Sequence, residues 1–257
     1  MLQARSGRDV SVDPGEFFRE HGWVVVRGVV SPKRIAELER AFDQVFPRPA
    51  WPKDGVLEIP GLARRLPDLG EQVLDSAVSR IAAGALGCAR VQLLQDVLML
   101  KPPLTGGRIE WHQDRTYIGY LDPPRCATAR LALSPCTQEM GCMRVLDGSH
   151  DWGFYGRDRS LAASSVDDAL GLLPPERRAP GLVRMLELEP GDLSLHHCLT
   201  FHGSLENRSE RARKTLIVRF FDADCRVSRD ALPAGAAPWF PERPDGGLST
   251  EAFPLLP

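Results

Sequence analysis

The stretch PGDLSLHHCLTFHGS, residues 190–204, indicates most about how this chain folds. Its first three residues, Pro-Gly-Asp, are a turn signal, and the apolar segment after them predicts a β-strand. The segment leads to His202, a potential metal ligand that is followed at once by Gly-Ser. The stretch therefore predicts a strand that leads to a histidine at its far end.

Short segments of the same type fill the chain from residue 91 onward. Gly- and Pro-rich turns separate predicted strands at 91–101, 109–115, 126–133, 143–146, 183–188, 192–197 and 214–222. Many short strands with such punctuation predict a mainly β fold, a barrel or a jelly roll. A long polar insertion at 153–181 interrupts the pattern, and a loop of that length in a compact domain is often functional.

The N-terminal part predicts helices on either side of one strand. A helical pattern stops at Gly22, a β-branched and aromatic segment covers residues 23–27, and Ser31 is a good N-cap for a second helix. Residues 71–86 predict a further helix. The second helix has one apolar stripe at helical spacing, formed by Ile35, Leu38, Phe42 and Val45.

We expect a single domain over residues 1–257, because this length suits one large domain with its own core. Its predicted parts are a helical N-terminal part at about 14–86, a β core at about 91–222 and a Pro-rich tail at 230–257. Residues 47–70 predict a loop over a pocket, and the tail predicts a segment that wraps the surface.

The composition excludes several classes of protein. With 43% hydrophobic and 26% charged residues, the chain is an ordinary folded protein, and its net charge of −2 offers no attraction to nucleic acid or an anionic membrane. No apolar run is long enough to span a bilayer and no secretory signal is recognisable, which predicts a cytoplasmic protein. The six cysteines form no CxxC pair and are expected to be reduced thiols. We expect a small-molecule partner, and the oligomeric state is open between monomer and homodimer.

His112 and Asp114 provide two further candidate metal ligands. They stand two residues apart in the predicted strand 109–115, so their side chains point to the same face. Together with His202 they make two histidines and one carboxylate, the facial triad of non-haem Fe(II) oxygenases. Such a triad leaves three coordination positions open.

Several other residues bear on this candidate site. His196 and His197 are alternatives to His202, and His197 is the more serious of the two, although its strand parity predicts that it packs in the core. Arg213 stands eleven residues after His202, and a hairpin returning from that histidine would bring Arg213 beside the metal. A planar guanidinium suits the distal carboxylate of a dicarboxylic acid such as 2-oxoglutarate. Arg219 has the same strand parity as Arg213, and either faces the pocket or forms a structural ion pair.

The order and spacing of these motifs resemble the phytanoyl-CoA dioxygenase family of Fe(II)/2-oxoglutarate-dependent oxygenases. The resemblance lies in HQD at 112–114, GC at 141–142, DGSH at 147–150 and PGD with HGS, N, S and R across 190–213. It covers about residues 14–222. It implies a double-stranded β-helix (cupin-like) core with flanking helices, and oxidative C–H chemistry that uses Fe(II), 2-oxoglutarate and O2.

The resemblance also implies roles for individual residues. By position, His112, Asp114 and His202 match the family's catalytic metal ligands, and Arg213 and Ser204 match residues that bind 2-oxoglutarate.

Two more positions concern the cosubstrate pocket. Tyr117 matches an aromatic residue that often lines it. Arg130 stands where the family commonly has Trp, and it either supplies a second cation to 2-oxoglutarate or binds an acidic substrate. Trp152, Phe154 and Tyr155 open the long insertion and are expected to anchor it to the barrel rather than to contact substrate.

The resemblance implies hydroxylation of an unactivated carbon in a small-molecule metabolite, either an amino acid or a natural-product intermediate. Desaturation, cyclisation and epimerisation would use the same machinery and stay open, because substrate placement decides among them. Halogenation is disfavoured by Asp114, since a halide would need its coordination position. A non-catalytic cupin-like binding protein, or a zinc hydrolase, would use the triad without 2-oxoglutarate.

Overall fold

The fold is mainly β, with two antiparallel sheets that line one cavity. The computed structural model describes residues 13–45, 55–61, 70, 77–104, 107–155, 173, 181–232 and 234–256. The strands within these residues are β1 (Trp23–Val26), β2 (Leu57–Pro60), β3 (Val91–Lys101), β4 (Ile109–His112), β5 (Leu121–Asp122), β6 (Cys126–Ala132), β7 (Met143–Leu146), β8 (Val183–Leu186), β9 (Leu193–His197), β10 (His202–Ser204), β11 (Arg213–Asp222), β12 (Arg226–Val227) and β13 (Leu255–Leu256). The α-helices there are α1 (Pro14–His21), α2 (Pro32–Val45) and α3 (Ala77–Leu86).

The larger sheet has seven strands in the order β1-β9-β6-β11-β3-β13, with β2 also paired to β3. The smaller sheet has four strands in the order β4-β10-β7-β8, and β12 pairs with β5. These curled antiparallel sheets form a jelly-roll core. The predicted mainly β fold with flanking helices, a double-stranded β-helix, is confirmed.

The larger sheet is apolar on its outer face and carries both polar and apolar side chains on the face that lines the cavity. In β9, Leu193 and Leu195 join the main hydrophobic core, whereas His196 lines the cavity. In β6, Leu131 packs in the same core and Arg130 lines the cavity. Because successive side chains of a strand point to opposite faces, this alternation puts the chemistry inside the barrel.

The helices cover the outer face of the larger sheet. The side chain of Asp13 accepts a hydrogen bond from the Glu16 backbone N–H and caps α1. The helix ends at His21, and Gly22 follows as its left-handed C-cap with a φ of 77°. The predicted stripe of α2 is confirmed, since Ile35, Leu38 and Phe42 are buried in the main core and Val45 packs against it. Residues 71–76 of the third predicted helix lie outside the described residues.

The path from His202 to Arg213 differs from the predicted hairpin. Strand β10 pairs with β4 and β7 in the smaller sheet, whereas β11 pairs with β3 and β6 in the larger sheet. The chain therefore crosses from one sheet to the other between the two strands. Arg213 approaches the site from the opposite wall, and the predicted hairpin is wrong.

Two segments without predicted strands extend the larger sheet. Residues 57–60, within the predicted loop at 47–70, pair with the end of β3, while residues 46–54 and 62–69 lie outside the described residues. In the C-terminal tail, β13 pairs with the start of β3, and Leu248 is fully buried. Most described residues of the tail are exposed or half-buried, while Leu248, Phe253 and Leu256 are buried and anchor the tail to the fold.

The start of the long insertion is anchored as predicted. Trp152 and Tyr155 pack around Phe201, with ring centroids 6.3 Å and 5.1 Å from it, while Phe154 is exposed. Most of the insertion, apart from Leu173, lies outside the described residues. All six cysteines are free, which confirms the predicted thiols. Among the described residues no helix is long and apolar enough to cross a membrane.

Candidate active site

His112, Asp114 and His202 come together between the sheets. His112 ends β4 and lies opposite His202 of β10 in the antiparallel register. Potential ligand atoms of the three residues lie within 4.8 Å of one another, and Asp114 Oδ1 is 3.7 Å from each histidine Nε2. The predicted triad therefore forms one compact cluster.

Asp114 reaches this cluster from a position that the sequence did not predict. The predicted strand at 109–115 ends at His112, and a short 3-10 helix, Asp114–Thr116, follows. Gln113 between them keeps an extended backbone, with φ −110° and ψ 132°. The two-residue alternation of a strand therefore still applies up to Asp114, and both side chains point to one side.

Backbone carbonyls fix how both histidines face Asp114. His112 Nδ1 lies 2.8 Å from the carbonyl oxygen of Glu110, and His202 Nδ1 lies 3.0 Å from that of Thr200. Each Nδ1–H donates to its carbonyl, which leaves the Nε2 lone pair for a metal. Burial and the neighbouring imidazoles lower the pKa of His202 well below its usual range, so its ring is neutral.

The two carboxylate oxygens of Asp114 have different neighbours. Thr128 Oγ1 donates to Oδ2 at 2.5 Å, His196 Nε2 lies 3.3 Å from it and Arg219 Nε lies 3.7 Å from it. Oδ1 is buried without a hydrogen-bond partner among the described residues and faces the two histidine Nε2 atoms. This arrangement fits a divalent cation bound by one carboxylate oxygen and two imidazoles.

Neighbouring groups also stabilise the ionised form of the Asp114 carboxylate. Burial alone would raise its pKa, but the Arg219 guanidinium and the neighbouring imidazoles of His112 and His196 bring that pKa well below its usual range. Arg219 lines the cavity, in agreement with its strand parity. The sequence analysis missed Thr128 as a partner of Asp114, although the alternation of β6 places Thr128 and Arg130 on one face.

Of the two histidines of β9, His196 and not His197 lies near the metal cluster. His197 packs on the outer side, 6.2 Å from the Phe18 ring and 5.8 Å from the His150 ring, as its parity predicts. His196 is fully buried beside Asp114, with its ring 4.1 Å from that of His202. The nearer alternative to His202 is therefore His196, because its side of the strand faces the cavity.

A second cluster consists of three buried basic side chains, Lys101, Arg130 and Arg213, which we call the cation cluster. Nη2 of Arg213 and Nη2 of Arg130 lie 3.5 Å and 3.4 Å from the thioether sulfur of Met99. Arg213 also donates to the Gly141 carbonyl. None of the three basic side chains forms an ion pair with a carboxylate of the described residues.

Lys101 connects the cation cluster to the triad. Its Nζ donates to Ser204 Oγ at 2.7 Å, and Ser204 stands two residues after His202. Burial, with Arg213 and Arg130 nearby, lowers the pKa of Lys101 to about 5, so the fixed positive charge of the cluster belongs to its two guanidinium groups. The sequence analysis missed Lys101, which lies directly opposite Arg213 in the register of β3 and β11.

One cavity of about 1050 Å³ joins these groups. The triad, Ser204 and Arg130 line it, whereas Arg213 contacts it through Met99, which does line it. Tyr117 lines it as well, 60% exposed and with its ring 5.8 Å from that of His112. The structure thus places six of the seven predicted site residues in the cavity lining and Arg213 directly behind it. Buried guanidinium groups beside a divalent-metal cluster suit a chelating acid.

A jelly roll that holds two histidines and an aspartate in a cavity is the arrangement of non-haem iron oxygenases. The family model described as phytanoyl-CoA dioxygenase (PhyH) matches residues 18–215, and the chain belongs to this family. The resemblance found in the motifs is thereby confirmed.

Individual relatives agree with this assignment. Phytanoyl-CoA dioxygenase 1 of Oryza sativa subsp. japonica is 32% identical over 141 residues, which are 54% of this chain and 48% of the relative. The chain thus matches about half the length of its first curated relatives. The alpha ketoglutarate dependent carbocyclase SnoK from nogalamycin biosynthesis has a similar structure, with a TM-score of 0.76, 25% identity and 97% of each chain covered. The epimerase SnoN, in complex with Fe3+, alpha ketoglutarate and nogalamycin RO, has the same fold, with a TM-score of 0.70, 20% identity and 94% of this chain and 96% of SnoN covered.

Proposed function

We propose that this protein is an Fe(II)- and 2-oxoglutarate-dependent dioxygenase that hydroxylates a small-molecule metabolite. The observation that carries the proposal is the closeness of two buried features at one cavity. One is the triad with the unpartnered Asp114 Oδ1. The other is the cation cluster, in which Arg130 lines the cavity, Arg213 reaches it through Met99, and no member pairs with a carboxylate of the described residues. A 2-oxo dicarboxylic acid complements both, because one end chelates a metal and the other end carries a charge. Membership of the family and the ligands of the SnoN structure support the same function.

In this function His112, Asp114 and His202 hold the iron. The iron supplies the activation of O2 when it is bound, and the protein supplies position and exclusion of side reactions. Thr128, His196 and Arg219 hold Oδ2 of the carboxylate, so that Oδ1 is the oxygen presented to the metal.

The residues near Met99 hold the cosubstrate. Arg213 and Arg130 provide two guanidinium groups to the distal carboxylate, and Lys101 orients the Ser204 hydroxyl towards it. Tyr117 closes the cavity beside His112.

Succinate release tests this proposal. The purified chain with Fe(II), 2-oxoglutarate and O2 is expected to form succinate, and a panel of metabolites is expected to contain one that accelerates the release. Absence of 2-oxoglutarate binding by the iron-loaded protein would favour a non-catalytic metal-binding protein. Product analysis separates hydroxylation from desaturation, cyclisation and epimerisation, which would use the same residues.

Four properties stay predictions: the single domain, the cytoplasmic location, the absence of nucleic-acid and membrane partners, and the oligomeric state.

The histidines of β9 and β10 give a test of the metal ligands. His202→Ala should leave the protein with little iron, because an imidazole ligand is lost, whereas His197→Ala should keep the iron of the wild type, since His197 points to the outer side. Metal analysis after reconstitution measures both. A metal-free His197→Ala protein beside a metal-replete His202→Ala protein would reverse the assignment.

Thr128 gives a test of the support around Asp114. Thr128→Val keeps the shape of the side chain but removes the hydrogen bond to Oδ2, and loss of such an outer partner is expected to lower iron affinity about 10- to 100-fold. Thr128→Ser keeps the hydroxyl and should restore most of the affinity. Iron titration of the three proteins measures the effect, and equal affinities would contradict the assigned role.

A further inference from the structure

The cavity is larger than a cosubstrate needs, and its two ends differ in chemistry. About 1050 Å³ exceeds even the ~300–1,000 Å³ that is usual for a drug-sized ligand. The cation cluster lies at the end of β3 that holds Lys101, while the C-terminal tail pairs with the start of β3 at Gln92. These two ends of one strand are separated by roughly 30 Å at about 3.3 Å per residue.

Aromatic side chains line the cavity at the tail end. We call them the aromatic wall, and its members are Tyr117, Tyr120, Trp239, Phe240 and Phe253. The Phe240 ring centroid lies 4.6 Å from that of Tyr120 and 5.7 Å from that of Phe253, stacked on the latter. The wall therefore includes a continuous series of packed rings.

Hydrogen bonds fix the tail that carries most of this wall. Gln92 Nε2 donates to the carbonyls of Leu248 and Phe253 at 3.2 Å and 2.9 Å. The Ser228 N–H donates to the Tyr120 carbonyl at 2.7 Å, which joins the segment just before the tail to the loop that follows Asp114. A wall that is held in place without ligand is preorganised to bind one.

Two members of the wall leave large apolar surfaces uncovered. Trp239 is 77% exposed and Tyr117 is 60% exposed, although both line the cavity. Exposed aromatic surface in a cavity marks a site for an apolar ligand. Tyr117 lies beside His112, so a molecule on the wall extends towards the metal cluster.

Charges in the rest of the lining argue against an anionic ligand here. Glu58 and Glu110 line the cavity, are exposed and form no ion pair within the described parts of the chain. The cation Arg108 is engaged by Glu206 at 3.5 Å, and Arg219 lies against Asp114. Glu58 lies opposite Met99, so it stands nearer the cation cluster than the wall. Outside the cation cluster, no described lining residue is a cation without an ion pair, so the phosphates of a CoA thioester would find no such partner at the wall.

We propose that the aromatic wall binds the primary substrate, and that this substrate is a bulky, ring-bearing, uncharged molecule, neither a free amino acid nor a CoA thioester. The proposal rests on the proposed function, because it assigns the cation cluster to the cosubstrate and the remaining volume to the substrate. It selects the natural-product intermediate over the amino acid as the class of substrate.

Binding of the neutral naphthalene dye prodan tests the proposal without turnover. The dye's fluorescence is titrated in the full chain, with and without saturating 2-oxoglutarate. Trp239→Ala is expected to raise the Kd of the dye about tenfold, because an aromatic anchor of the binding site is lost. The control Phe154→Ala removes an exposed aromatic ring outside the cavity lining and should leave the affinity unchanged. Saturating 2-oxoglutarate should also leave it unchanged, since the two ligands occupy different ends.

Competition against the bound dye tests the chemical class. Naphthol should displace prodan, naphthalenesulfonate should do so at least tenfold more weakly, and octanoyl-CoA and L-phenylalanine should not displace it. Equal effects of Trp239→Ala and Phe154→Ala, displacement of the dye by 2-oxoglutarate, or displacement by octanoyl-CoA as effective as that by naphthol would overturn the proposal. A chain that fails to bind 2-oxoglutarate refutes the proposed function, yet it still allows the comparison of the two variants.

Discussion

Asp114→Ala should abolish succinate release and leave the protein with almost no iron. The substitution removes the one anionic ligand of the triad, and two neutral imidazoles alone hold Fe(II) weakly. It also removes the counter-charge of Arg219, whose Nε lies 3.7 Å from Oδ2 in a site that is 2% exposed at the aspartate side chain. Because Arg219 is 24% exposed, breaking this partly buried pair costs less than the ~3–5 kcal/mol of a fully buried one, but part of the loss would still be structural.

Asp114→Asn separates these two effects. The amide keeps the size of the carboxylate and can still accept the hydrogen bond of Thr128, but it lacks the ligand charge. We expect a folded protein, with the circular dichroism of the wild type, that binds little iron and forms no succinate. Wild-type turnover in either purified variant would refute the assignment of Asp114 as a ligand.

Strand parity accounts for what the sequence could predict of the site. The alternation of β9 assigns His197 to the packed face, and that of β11 puts Arg219 on the face that lines the cavity. Both follow from local backbone geometry, which a single segment specifies. The same rule, applied to β6, would also have found Thr128.

Contacts between distant segments account for what the sequence could not predict. Lys101 joins the cation cluster only because β3 pairs with β11 opposite Arg213, and no local pattern indicates that register. The crossing between β10 and β11 is likewise a property of the two sheets. The tail reads as Pro-rich and irregular, yet Leu255 pairs with Gln92 and brings Phe253 to the cavity. Pairing partners depend on the whole fold, so propensity alone leaves them open.

Arg213→Leu should weaken the binding of 2-oxoglutarate far more than the binding of iron. The guanidinium is 1% exposed, and loss of the cation from a buried, charge-assisted pair costs on the order of 2–5 kcal/mol, roughly a 30-fold to several-thousand-fold rise in Kd. Iron affinity should change little, because Arg213 is a hydrogen-bond donor that cannot ligate a cation. Anaerobic titration of 2-oxoglutarate into the Fe(II) protein, followed by its metal-to-ligand absorbance, measures both effects.

The ligand 2-oxopentanoate, which lacks the distal carboxylate, completes the test. It should bind wild type and Arg213→Leu with similar affinity, so that the coupling between the two deletions isolates the carboxylate contact.

Arg130→Trp places in this chain the residue that is common in the family. The guanidinium groups of Arg130 and Arg213 both contact the Met99 sulfur. We therefore expect Arg130→Trp to weaken 2-oxoglutarate binding by a smaller factor than Arg213→Leu does, and the variant should still decarboxylate 2-oxoglutarate. Unchanged 2-oxoglutarate affinity with loss of product would instead mean that Arg130 binds the substrate. Normal 2-oxoglutarate binding by Arg213→Leu would mean that Arg130 or Lys101 holds the carboxylate.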